Sequence, residues 1–203
     1  EFSVFSSHSS VDVDPAYWGS KTTERPPGPT DNCQLKTDHC SMKIRLASKD
    51  DIRGILAVQQ KSSEAARWTL GDYERLLEDP GGRVLVADLP TMDPPKILGF
   101  AAFHRIIDEV ELRNMAVDPN HREQGIGRAL LVAARDRMLR AGAKRVFLEV
   151  RASNKPAQSL YYSLGFAINY LRKDYYRDPE EDALVLSLEL YPPTVLSPQW
   201  AVP

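Results

Sequence analysis

Arg122-Glu123-Gln124-Gly125-Ile126-Gly127 decides the reading of this chain. The run before it, Val110-Glu111-Leu112-Arg113-Asn114-Met115-Ala116-Val117, reads as a strand, and Asp118-Pro119-Asn120 reads as a turn. The apolar period after it predicts a helix running to about residue 141. A helix start leaves backbone N–H groups without partners, and the helix dipole favours negative charge there. Such a place suits a phosphate or pyrophosphate. Gly125 and Gly127 would let that backbone approach a ligand with no Cβ in the way. By itself a turn with two glycines also serves plain turn geometry, so the flanking strand and helix carry much of the weight.

Downstream comes Leu148-Glu149-Val150-Arg151-Ala152-Ser153-Asn154, then Leu160-Tyr161 with Ser163-Leu164-Gly165-Phe166. Further on stand Arg172-Lys173-Asp174-Tyr175-Tyr176 and Glu181-Asp182-Ala183. With these in view the chain resembles a GNAT-superfamily N-acetyltransferase. The turn at 122–127 is similar to that superfamily's acetyl-CoA pyrophosphate motif, Gln/Arg-x-x-Gly-x-Gly/Ala. Within the superfamily the chain most resembles the RimI-like ribosomal-protein-alanine N-acetyltransferases. The tyrosine pair ahead of Glu-Asp-Ala is the more discriminating part. The resemblance covers about residues 42–190.

The 203 residues suit one domain with a tail. A hydrophobic fraction of 42% supports a buried core, and 27% charged residues suit a solvated surface. The net charge of −2 does not imply a nucleic-acid partner. No apolar run approaches the roughly 20 residues that span a bilayer, so no membrane partner is expected. Cys33 and Cys40 are the only cysteines, which gives no disulfide framework and points to the cytoplasm. Cys33, His39 and Cys40 lack a fourth ligand and zinc-site spacing, so no metal is expected. A monomer or weak dimer is the expected state.

Residues 1–41 are rich in Ser, Thr, Asp and Pro and show no sustained period. They read as a flexible N-terminal extension or an added leader, with Met42 resembling a natural start. The other reading is a genuine arm whose Phe2, Phe5, Tyr17 and Trp18 pack somewhere. Residues 42–191 form the expected domain and 192–203 a C-terminal tail. Within the domain the patterning predicts strands at 43–46, 83–88, 97–105, 108–117 and 145–150, closed by a pair at 166–172 and 183–190. It predicts helices at 49–62, with Ile52, Ile55, Leu56 and Gln59 inward, at 70–78, at the 122–127 turn and at 154–164. Ile126, Leu130, Leu131, Ala134 and Met138 share one side of the third. The alternation predicts a mixed α/β domain in three layers. The resemblance implies a single GNAT-like domain: a central twisted mixed sheet, helices on both faces, splayed at the cofactor site between strands ending at Val117 and Val150.

Acetyl transfer to an amine requires the donor to be held, the carbonyl oxygen stabilised, the amine neutral and the thiolate protonated. Donor binding is expected from Arg122, Glu123, Gln124, Gly125, Ile126 and Gly127, with Arg122 and Arg128 as counter-charges. The resemblance implies that backbone N–H groups around Met115, Ala116 and Val117 meet the acetyl oxygen, an oxyanion-hole device. It also implies that Asn154, a natural helix cap, touches the pantetheine arm. Glu149 lies on the opposite strand face from Leu148 and Val150. The resemblance makes it the general base, and Tyr161 the general acid for the departing thiolate and part of the cofactor site. Plain alternatives are a surface carboxylate and a core tyrosine packed against Phe166. On the acceptor side the resemblance implies Trp68, Glu149, Tyr175 and Tyr176. The two tyrosines are expected on the loop joining the last strands. Arg67 precedes Trp68 where RimI-like proteins usually have Pro. Glu64, Asp108 and Glu109 are further acids that could attract a basic N-terminus, the plain alternative being scattered charges on a solvated face. The implied activity is transfer of acetyl from acetyl-CoA to a primary amine, most readily a protein or peptide N-terminus, with a ribosomal protein as one candidate partner. A small-molecule amine acceptor and a non-catalytic acyl-CoA-binding module are the alternatives.

Overall fold

The computed structural model describes residues 36–37, 40–90 and 94–190, with side chains from 42 onward. The extension expected at 1–41, apart from two short strands, and the tail expected at 192–203 lie outside the described residues. So do Cys33, His39, Phe2, Phe5, Tyr17 and Trp18. Strands β1 (Lys36–Thr37) and β2 (Cys40–Ser41) pair antiparallel on their own. The main sheet comprises β3 (Lys43–Leu46), β4 (Gly82–Leu89), β5 (Lys96–Ile106), β6 (Glu109–Val117), β7 (Arg145–Arg151), β8 (Ala167–Arg177) and β9 (Glu180–Glu189). Its order is β3-β4-β5-β6-β7-β9-β8. Every neighbour is antiparallel except β6 and β7. A parallel pair needs a crossover, and α3 (Ile126–Arg140) supplies it.

Alternation along the central strands splits the core into two faces. Val84, Val86, Phe100 and Ala102 pack under α1 (Ile52–Gln60) and α2 (Leu70–Glu78). Leu85, Ala101, Phe103, Val110 and Leu112 pack under α3, beside Tyr161 of α4 (Lys155–Ser163). The five residues expected on one side of α3 are all buried there. Helices on both faces of a mixed sheet give the α/β layers that the sequence implies.

α1 starts later than its pattern predicts. Lys49–Asp51 form a 3-10 turn, because the Asp51 carboxylate is drawn back to Ser48 N–H at 2.7 Å and to Arg45 Nη1 at 2.7 Å. Val58 is buried where Leu56 was expected, and Leu56 is half-buried. α2 matches its expected span. Thr69 Oγ1 accepts from Asp72 N–H while Asp72 reaches back to Thr69 N–H, a capping box.

The feature that makes the site is a β-bulge. Ala102 pairs with Asn114 but Phe103 pairs with Leu112, so Arg113 is an extra residue on β6. A bulge bends and twists its strand and reverses the side-chain alternation beyond it. Before the bulge, Val110 and Leu112 face α3; after it, Met115 and Val117 do, while Ala116 packs on the α1/α2 side. β6 also parts from β7 here. Glu109, Val110, Glu111 and Leu112 pair with Arg145, Val146, Phe147 and Leu148, and the pairing stops there. This is the expected splay.

β8 and β9 are longer than expected, and Tyr175 and Tyr176 belong to β8 rather than to a connecting loop. A bulge between Arg172 and Tyr176, with Asp174 at φ 52°, hides the strand period there. Beyond it Tyr176 pairs with Glu181 and Arg177 with Glu180.

Candidate active site

The turn leading into α3 is built from its own side chains. Asp118 Oδ1 accepts from Asn120 N–H at 3.0 Å, and Asp118 Oδ2 takes Lys61 Nζ at 2.9 Å. Burial pushes the Asp118 carboxyl up, but these donors outweigh it and hold it below the usual range. Glu123 (φ 62°) and Gly125 (φ 79°) are left-handed, and Gly125 caps α3 with no side-chain acceptor on the first-turn N–H groups. Residues 122–125 are exposed, and the first-turn N–H groups of α3 have no intrahelical partner. Gly127 also has a packing role that the motif does not show. A Cβ there would lie 3.2 Å from both Met115 Cε and Leu160 Cδ2.

Neither expected counter-charge stands free. Arg122 reaches Glu64 Oε2 at 3.3 Å, Ser62 Oγ at 3.4 Å and the Val117 carbonyl at 3.4 Å. Arg128 Nη1 donates to Ser163 Oγ at 3.0 Å, tying α3 to α4. The other acids singled out are also paired: Asp108 with Lys144 at 2.9 Å and Glu109 with Arg145 at 3.3 Å, both at the far end of β6.

The splay exposes backbone. Asp118 N–H bonds to the Leu98 carbonyl at 2.8 Å, on the β5 side. Successive strand N–H groups alternate in direction, so those of Met115 and Val117 point into the gap that β7 has left. Across the gap Asn154 Oδ1 accepts from Ala157 N–H at 3.2 Å, the expected cap of α4. Tyr161 is 7% exposed, and its ring centroid lies 5.6 Å from that of Phe166. Burial, with the Tyr176 oxygen nearby, pushes its phenol well above the ordinary value. The phenol therefore stays protonated at neutral pH.

Glu149 lies on the other face of β7 from Leu148 and Val150, which are core residues. Arg172 Nη1 donates to Glu149 Oε1. The Arg172 guanidinium lies 5.3 Å from the Tyr175 ring centre, and the Tyr175 and Tyr176 rings meet edge-on at 5.1 Å. Burial and the Glu149 carboxylate push the Tyr175 phenol up, and they push Tyr176 up to about 12. Arg151 lies 4.1 Å from the Tyr176 ring centre and bonds Glu181 and the carbonyls of Asp178 and Pro179, which pins the β8–β9 turn to β7. Glu149, Tyr175 and Tyr176 thus form one cluster. Trp68 stands apart from them, 5.1 Å from the Tyr73 ring and 5.6 Å from the Arg113 guanidinium. Among the described residues no α1 or α2 side chain joins β7, β8 or β9 in a common buried cluster, so the Glu149 face is lined by strand side chains and not packed under those helices. Those residues also include no group of three or more His, Cys, Asp or Glu side chains placed to hold a metal, and no helix long and apolar enough to cross a membrane.

Three residues went unnoticed in the sequence. Arg172 sits inside the quoted motif but pairs with a residue 23 positions away, which no local pattern reveals. Asn114 is buried within an otherwise strand-like run, and that polar interruption was the available signal. Glu111 is half-buried, 3.6 Å from Arg113, and burial with the Glu149 charge raises its carboxyl above the usual range. A carboxyl raised in the folded state favours folding at low pH, and that contribution is lost as pH rises through the folded value. Glu111→Gln is therefore expected to raise the unfolding midpoint at neutral pH and leave it nearly unchanged at about pH 4. An unchanged or lower midpoint at neutral pH would contradict this.

Comparison with known proteins agrees with the geometry. Residues 51–166, more than half of the chain, match the Acetyltransferase (GNAT) family. A Bacillus subtilis (strain 168) protein provisionally named ribosomal protein bS18-alanine N-acetyltransferase is 33% identical over 153 residues, covering 75% of this chain and 96% of that protein. An Escherichia coli (strain K12) protein named ribosomal protein bS18-alanine N-acetyltransferase is 43% identical over 97 residues, 47% of this chain and 66% of that protein. The crystal structure of the ribosomal-protein-S18-alanine N-acetyltransferase from Escherichia coli superposes with a TM-score of 0.66 at 30% identity, covering 77% of this chain and 98% of that one. With its bulged, splayed sheet and its glycine-capped α3, the chain belongs to the GNAT family of acetyltransferases.

Proposed function

We propose that this enzyme moves an acetyl group from acetyl-CoA to the N-terminal α-amine of a protein, with a ribosomal protein as the acceptor. The strand face around Glu149, beside the splay and not packed under α1 or α2, carries this reading. An extended N-terminus can lie across such a face, whereas a small amine would be better held by an enclosed pocket. The names of the relatives support the ribosomal acceptor. This assignment puts the enzyme's work in the cytoplasm.

In this reading the first-turn N–H groups of α3 and the turn at 122–127 hold the pyrophosphate, with Arg122 and Arg128 released from their present partners to assist. The N–H groups of Met115 and Val117 receive the negative charge that develops on the acetyl oxygen. Asn154 caps α4 and borders the pantetheine arm. Trp68, Tyr175 and Tyr176 bound the acceptor. The amine nitrogen attacks the thioester carbon, and its proton passes to Glu149, directly or through a water. The C–S bond breaks, and the departing thiolate takes the proton of Tyr161, which is protonated at neutral pH; Glu149 then gives its proton to water and Tyr161 regains one, which restores both groups. Glu149 and Tyr161 lie on opposite faces of the sheet, which suits a donor threaded through the splay. An α-amine, with a pKa of about 8, is more readily neutral than a lysine at about 10.4.

Thiol release from acetyl-CoA, measured with peptides of different N-terminal residues and with free amino acids and polyamines, tests this. Turnover confined to peptides is the expected result. Turnover confined to small amines would replace the acceptor assignment. Cofactor binding with no turnover on a panel that includes the bS18 N-terminus would contradict it.

A further inference from the structure

The loop between α1 and α2 carries Trp68, and a buried polar network ties it to β6. Asn114 is 5% exposed and Gln59 is 4%. Asn114 Oδ1 accepts from Ala66 N–H at 3.1 Å, and Asn114 Nδ2 donates to the Ala66 carbonyl at 3.1 Å. One side chain therefore grips both backbone groups of a loop residue. The same Nδ2 lies 3.2 Å from Gln59 Oε1 and 3.1 Å from the Tyr73 hydroxyl. Tyr73 donates to Gln59 Oε1 at 2.7 Å, and Gln59 Nε2 donates to the Trp68 carbonyl at 2.8 Å. Every polar atom of the trio is used, and the loop is held at Ala66 and at Trp68. The strand position is equally telling. Asn114 follows Arg113, the bulge residue beside Trp68, and precedes Met115, whose N–H faces the gap.

We propose that Asn114, with Gln59 and Tyr73, is the positioning residue that seats the Trp68 loop against the splay and thereby sets affinity for the acceptor rather than for the cofactor. This rests on the α-amine acceptor reading. Networks of this kind rigidify what they hold only while every member is satisfied. Asn114→Asp replaces the donor Nδ2 with an acceptor that faces three oxygens. Tyr73→Phe removes one hydroxyl and keeps the ring packing.

Both full-length variants are compared with wild type by hydrogen exchange of amides 62–68, by calorimetric binding of CoA, and by KM for a peptide with N-terminal alanine. In Asn114→Asp, exchange at 62–68 and peptide KM should each rise about ten-fold while the CoA Kd stays within about two-fold, with Tyr73→Phe smaller in the same direction. Unchanged exchange at 62–68 would overturn the proposal. So would faster exchange throughout the chain with CoA binding weakened in parallel, since Asn114 would then be a plain core residue. If Asn114→Asp does not fold, Tyr73→Phe decides by the same criteria. If wild type acetylates no peptide, the acceptor reading fails by itself, while the loop-specific exchange and CoA affinity still decide whether Asn114 seats the loop.

Discussion

Glu149→Gln is expected to lower acetyl transfer to a peptide by about 10²- to 10⁴-fold, the range that a positioned general base contributes. The substitution is a sharp one because little else should change. Glutamine keeps the shape of the side chain, and its carbonyl oxygen can still accept from Arg172, so the contact that fixes Glu149 survives. The core below β7 is formed by Leu148 and Val150 on the opposite face and is untouched. CoA affinity should therefore stay within about two-fold, because no donor proposed for the pyrophosphate involves Glu149. Steady-state kcat together with calorimetric CoA binding reads both quantities. Wild-type kcat in the variant would remove Glu149 from the chemistry and turn attention to Glu111, the other carboxyl coupled to it.

Gly82→Ala has the largest expected effect on stability. The turn from α2 into β4 is so tight that a Cβ at Gly82 would lie 1.8 Å from the Leu76 carbonyl oxygen and 2.8 Å from its carbon. These are backbone atoms, so no side-chain rotation relieves the overlap. The neighbouring turn is fixed as well: Gly82 N–H bonds to the Asp79 carbonyl at 2.9 Å, and Gly81 N–H to Asp79 Oδ1 at 2.7 Å. Either α2 or β4 must shift, and both belong to the cluster around Tyr73 and Val84. Overpacking of this severity costs about 3 kcal/mol or more, which lowers the thermal midpoint by about 10 °C in a chain of this size. A midpoint within about 2 °C of wild type would show that the turn can open without harm.

What the sequence revealed was local. The spacing of Ile126, Leu130, Ala134 and Met138 follows from helix geometry alone, and so does the stop of α2 before Asp79-Pro80-Gly81. The splay was legible only through the family resemblance, because its cause is a pairing between β5 and β6 that single-strand patterns do not contain. The bulge at Arg113 reverses which side chains face α3, and strict alternation along β6 would place Met115 and Val117 on the wrong side. Tyr175 and Tyr176 were misplaced onto a loop for the same reason, a bulge that interrupts the period of β8. The partners of Asn114 lie 41, 48 and 55 residues away, and only the fold gathers them. Gln59 did leave a trace, as a polar residue within the inward stripe of α1. The glycine turn was read correctly as a helix start, but Gly127 turns its missing side chain toward Met115 and Leu160, which no motif conveys.

The most direct test offers the enzyme one peptide with two competing amines, an N-terminal alanine and an internal lysine, together with acetyl-CoA. Fragment mass spectrometry then locates the acetyl group. The geometry and chemistry argued above predict a single acetyl on the α-amine, with the lysine unmodified at neutral pH. Acetyl found on the lysine, or hydrolysis of acetyl-CoA with neither amine modified, would contradict N-terminal acetyl transfer as the function of this site.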